Sequence, residues 1–177
     1  MCLKKCSCGG IVRNYKGNTY AEICPKCKQK NSFVTFPNLF RSVTVEKPEC
    51  FYLGNTTYLT VSGTGLLNIS GGEVEGVFSL IMADTKSQID RFTFEFFAVT
   101  PYGYKVALFI SFASQVTVEC CKHCKKKKDK EKKDNADQTV KYPYEMMPMF
   151  GNYARKVIFY PNGRIDEEDL LHCMYNR

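Results

Sequence analysis

The chain has 177 residues, of which 44% are hydrophobic and 24% charged, with a formal net charge of +7, ten cysteines, two histidines and no tryptophan. That length holds one domain of ordinary size plus a small module, and the balance of apolar to charged residues excludes a wholly disordered chain. Thirteen Phe and eleven Tyr predict a strand-built core, because aromatic side chains fit a pleated surface.

The charge is unevenly placed. Residues 1–30 carry seven Lys or Arg against one Glu, and residues 121–133 carry eight Lys against Asp129 and Glu131. The remainder is mildly acidic, so two basic blocks that coincide with cysteine clusters sit on a body of opposite sign. No apolar segment follows the N-terminal lysines, and the longest apolar stretch, Lys105 to Val118, is interrupted by Ser111, Ser114 and Gln115. Neither a secretory signal nor a membrane-spanning helix is therefore predicted, and the expected location is intracellular, in cytoplasm or nucleus. In a reducing compartment the cysteines are expected as thiolate ligands or buried small groups rather than as disulfides.

Taken in chain order, residues 1–30 have too few large apolar side chains to build a core, so another agent must order them. Ile11–Tyr15 and Thr19–Ile23, turning on Lys16-Gly17-Asn18, make a hairpin that carries Cys6-x-Cys8 towards Cys24-Pro-Lys-Cys27. Gly9-Gly10 directly after the first pair permits close approach of backbone to sulfur. A cysteine pair, a glycine-containing knuckle, a hairpin and a Cys-Pro-x-Cys second knuckle resemble a zinc ribbon. The resemblance covers residues 1–30 and implies one structural zinc held by Cys6, Cys8, Cys24 and Cys27, with Cys2 able to stand in for Cys6. It departs from the pattern in its first pair, which is C-x-C rather than C-x-x-C. Four thiols without metal, or a redox dithiol at Cys24 and Cys27, are the competing readings. The redox dithiol would require a βαβ context that the hairpin does not offer.

From Ser32 to Val118 short strands follow one another: Ser32–Phe36, Ser42–Glu46, Cys50–Leu53, Thr57–Ser62, Leu66–Ile69, Val74–Ala83, Ile89–Val99 and Tyr104–Val118, the last in one or two pieces. Gly54-Asn55, Gly63-Thr-Gly65, Gly71-Gly72 and Pro101-Tyr-Gly103 supply turn chemistry between them. Arg91-Phe-Thr-Phe-Glu-Phe alternates, which places Phe92, Phe94 and Phe96 on one face. The expected fold is mainly β, an antiparallel sandwich, jelly-roll-like or barrel domain over residues 31–121. Residues 122–139 read as a lysine-rich linker. Residues 140–177 read as a strand at Lys156–Tyr160, a turn at Asn162-Gly163 and a short C-terminal helix opening at Asp166-Glu-Glu-Asp169.

A second metal site is conceivable from Cys121, Cys124, His172 and Cys173, with His123 as an alternative nitrogen ligand, provided that the chain end packs against the last long strand. Incidental surface thiols are the plainer alternative. Lys125, Lys126, Lys127 and Lys128 resemble a nuclear-targeting or nucleic-acid-contact tract, balanced by the reading of a solvated linker.

Three functional classes remain. In the first, the chain is a zinc-binding, non-enzymatic nucleic-acid-binding protein. Lys4, Lys5, Arg13, Lys16, Lys26, Lys28 and Lys30 would contact phosphates with the lysine tract, and Tyr15 and Tyr20 would stack on bases. In the second it is a structural or assembly protein, for instance a minor component of a virus particle or large complex. Tyr52, Tyr58, Tyr102, Tyr104 and Met146-Met147-Pro148-Met149-Phe150 would then be partner surfaces. An enzyme is the least expected class: both histidines adjoin cysteines, no phosphate or dinucleotide fingerprint occurs, and Glu73, Glu75, Asp84, Asp90 and Glu95 read as a solvent face.

Overall fold

The computed structural model describes residues 8–14, 16–86, 89–121 and 152–172. A first hairpin, β1 (Cys8–Arg13) and β2 (Thr19–Ile23), runs into a 3₁₀ turn at Pro25–Cys27. There follow β3 (Phe33–Phe36), β4 (Phe40–Val45), β5 (Glu49–Leu53), β6 (Thr56–Ile69) and β7 (Gly72–Thr85). The series ends with β8 (Arg91–Val99), β9 (Lys105–Ala113), β10 (Gln115–Cys120), β11 (Tyr153–Phe159) and β12 (Ile165–Asp169). These strands form one sheet of 12, in the order β10-β1-β2-β3-β4-β6-β7-β8-β9-β11-β12, with β5 paired to β6 off that path.

The pairing is antiparallel throughout, and the sheet curls into a half-barrel. Its curl is set at the corner between β9 and β10. Ser114 donates from its amide to the Asp90 carbonyl at 3.0 Å and from its hydroxyl to the Arg13 carbonyl. Past that corner β10 leaves β9 and runs alongside β1, pairing Cys8 with Cys120 and Arg13 with Gln115. The three strands β10, β1 and β2 thereby cover the concave side of the long strands. Asp84 on β7 fastens this cover by accepting the Val118 amide at 2.8 Å.

The core between the two layers is aromatic. Phe36, Phe92, Phe94 and Phe96 are fully buried. Phe94 lies 4.9 Å from Phe36 and 4.8 Å from Phe40, ring centre to ring centre, in edge-on or tilted contacts that suit the ring quadrupoles. The alternation of Arg91–Phe96 is realised in β8, where the three phenylalanines point inwards.

Two expectations fail for stated reasons. Gly63-Thr-Gly65 is not a turn, because β6 passes straight through it. A Cβ on Gly63 would lie 2.1 Å from the Thr44 carbonyl oxygen, and one on Gly65 would lie 2.3 Å from the Phe40 ring. Glycine is there for close approach rather than for bending. The helix expected from Asp166 onwards is β12 instead. Its residues pair with β11 from Phe159↔Ile165 to Arg155↔Asp169, and ion pairs from Arg155 to Glu167 (3.3 Å) and from Lys156 to Glu168 (2.5 Å) hold the chain extended. Leu171 and His172 alone are helical among the described residues beyond Asp169.

Candidate functional site

The zinc ribbon is not formed. Cys8 is joined by a disulfide to Cys50, Cys27 to Cys121, and Cys24 is also disulfide-bonded. A sulfur used in a disulfide is no thiolate ligand, so the pairing removes Cys8, Cys24 and Cys27 from zinc coordination. Among the described residues, no group of three or more His, Cys, Asp or Glu is placed to hold a metal ion. Cys6 lies outside the described residues. The second expected site is corrected on the same ground at Cys121. His172 is exposed, and Cys124 and Cys173 lie outside the described residues.

Local spacing misled because the sheet brings together sulfurs that are 42 and 94 residues apart in sequence. Cys8 opens β1, Cys120 closes β10 directly opposite it, and Cys121 follows. The 3₁₀ turn carries left-handed backbone at Cys24, Lys26 and Cys27, which swings Cys27 towards Cys121. Strand β5 lies across this end through Cys50, and Tyr52, two residues on, places its hydroxyl 2.6 Å from Cys120 Sγ. That hydrogen bond, then partial burial, raises the Tyr52 pKa above the ordinary phenol value. Cys120 is the free thiol among the described cysteines.

The basic candidates divide between two places. Lys26, Lys28 and Lys30 are exposed on the loop at the cysteine end, which Gln29 anchors by donating to the carbonyls of Val45 and Glu46 at 3.0 and 2.9 Å. Arg13 and Lys16 are also exposed but stand at the far end of the first hairpin. Lys4, Lys5 and Lys125–Lys128 lie outside the described residues, as do Tyr15 and Met146–Phe150. Tyr20 is a core residue, 8% exposed and 5.4 Å from the Phe36 ring, and so offers no stacking surface. Of the other tyrosines, Tyr52 and Tyr102 are exposed, whereas Tyr58 and Tyr104 are half-buried.

The carboxylates are engaged as structural partners or solvated. Glu73 pairs with Arg41 at 2.9 Å, Asp90 accepts the Thr85 amide at 2.8 Å, and Glu75 and Glu95 are exposed. A cavity of about 210 Å³ lies at the end away from the cysteines, between Tyr20, Leu39, Asn68, Lys156 and Leu170. It is smaller than the ~300–1,000 Å³ usual for small-molecule sites.

Sequence reading missed the outer face of the long strands. The rung Val77↔Phe97↔Ala107↔Val157 crosses β7, β8, β9 and β11, and the next rung on the same face is Val99↔Lys105↔Phe159↔Ile165. Ala107 and Val157 form a buried floor, while Val77, Phe97, Val99 and Ile165 are 60%, 46%, 60% and 55% exposed. Glu95, Lys105, Arg155 and Glu167 surround them with both signs of charge. The signal was present in the sequence as Phe97, Val99 and Val77 falling on the solvent parity of their strands.

Comparison with protein-family models, curated proteins and solved structures finds no match to this chain. Among the described residues no helix is long and apolar enough to cross a membrane.

Proposed function

We infer that the chain is a non-enzymatic assembly protein whose curled sheet is a scaffold, and that its outer face packs against the same face of a second copy. The observation that carries this reading is the patch of Val77, Phe97, Val99, Phe159 and Ile165. A contiguous apolar area with a polar rim marks a surface that is covered in use. The rim favours a second copy over a partner of one charge sign. A two-fold contact places residues against different residues of the same patch, so Lys105 has Glu95 within the opposing surface to meet, while Arg155 and Glu167 are already paired within the chain at 3.3 Å. Two antiparallel sheets also pack face to face readily, with their inner faces about 10 Å apart.

Sedimentation velocity on the purified full chain tests this. The expected species has twice the 20.3 kDa chain mass, and Phe97→Glu shifts it to the monomer without loss of β structure. A wild-type chain that stays monomeric at concentrations up to ~100 μM, well above the ~1 μM Kd of a modest interface, overturns the reading.

A second reading is favoured by Lys26, Lys28 and Lys30, which are exposed together on one loop at the cysteine end. Polyanion binding there predicts retention on heparin or single-stranded DNA that weakens steeply with salt. Retention unchanged after Lys26, Lys28 and Lys30 are replaced by Gln discards it.

A further inference from the structure

The sulfur chemistry at the cysteine end of the half-barrel carries an inference independent of the assembly reading. Cys8 and Cys120 are direct partners across β1 and β10. Opposed residues of an antiparallel pair share a face and hold their Cα atoms ~4.5–5.5 Å apart, within the ~4.4–6.8 Å that a disulfide spans. Cys8 is already bonded to Cys50, so the free thiol of Cys120 flanks an existing disulfide. On β5, Cys50 and Tyr52 alternate to the same side, so one short strand delivers the disulfide partner to Cys8 and a phenol to Cys120.

The geometry points to a thiol–disulfide exchange site in which Cys120 attacks Cys8 Sγ, forming a Cys8–Cys120 disulfide and releasing Cys50. In this step the Cys120 thiolate supplies the electron pair for the new S–S bond, the Cys8–Cys50 bond breaks, and Cys50 leaves as a thiolate. The proton given up by Cys120 to solvent is restored on Cys50, so one disulfide replaces another and no oxidant or reductant is consumed. Tyr52 keeps its hydroxyl proton at neutral pH and has it to donate to the sulfur anion before attack. The exchange removes two ties between β5 and the pair β1 and β10, the Cys8–Cys50 bond and the Tyr52–Cys120 contact.

Peptide mapping under non-reducing conditions, after trapping of thiols with N-ethylmaleimide at acid pH, tests the site in the full chain. In Cys50→Ala incubated with glutathione disulfide, which takes up the two electrons, a peptide linked through Cys8 and Cys120 is expected, with alkylation lost at both positions. Alkylation of both Cys8 and Cys120 in the folded variant overturns the proposal. In case the variant does not fold, wild type is incubated with dilute N-ethylmaleimide at neutral pH and compared with Cys120→Ser. Labelling of Cys50 in wild type that falls at least several-fold in Cys120→Ser supports exchange. Equal labelling in the two proteins, or none in either, overturns it.

Discussion

Gly65 shows how one missing Cβ decides a strand's path. In a sequence it sits in Gly-x-Gly and reads as a bend, yet the Phe40 ring occupies the space where a side chain would go. Gly65→Ala would push that ring, which also packs on Phe78 and Phe96 at 5.5 Å each, out of place. A loss of ~1–3 kcal/mol is expected, as for other overpacked cores, measured by urea unfolding. A loss below ~0.5 kcal/mol would show that Phe40 relaxes freely. The phenylalanines were legible because alternation in β8 is a local property, whereas the role of Gly65 depends on a ring 25 residues earlier and was not. Tyr20 belongs with Gly65: a hairpin standing alone would expose it, but the long strands bury it.

At the scale of elements, the strands were read well where punctuation is local and poorly where charge dominates. Ser32–Phe36 and Cys50–Leu53 lie within a residue of β3 and β5. The acidic run of β12 looked like a helix start because isolated carboxylates suit a helix dipole. Ladder bonds to β11 and cross-strand cations outweigh that preference once the partner strand is present. β12 is also an edge strand, and its row of carboxylates discourages pairing with a further chain. The cover of β10, β1 and β2 depends on few side-chain ties to the layer beneath, and Asp84 is one. Asp84→Ala leaves the Val118 amide without that acceptor. Losing such a hydrogen bond, worth about 1.5 kcal/mol, is expected to speed exchange of that amide roughly tenfold in hydrogen–deuterium measurements. Exchange as slow as in wild type would mean that the Asp84 hydrogen bond contributes nothing to holding β10.

For the molecule as a whole, the covalent ties replace the metal that the cysteine spacing suggested. Pairs such as Cys24-x-x-Cys27 are visible to a reader of sequence, but a bond spanning 94 residues is not, since it requires knowing that β10 lies beside β1. A loop of that size constrains the unfolded chain strongly, and the double replacement Cys27→Ser with Cys121→Ser is expected to cost ~4 kcal/mol in denaturant unfolding. A chelator should leave the melting temperature where it is, while a reductant lowers it. The reverse pattern in calorimetry would contradict the disulfide framework. The same topology has a consequence for synthesis. β1 emerges first, yet one of its two neighbours is made about a hundred residues later. At ~5–20 residues per second the first hairpin therefore waits on the order of 5–20 s with its β10 edge open, and the nascent protein depends on something else to shield that edge until translation catches up.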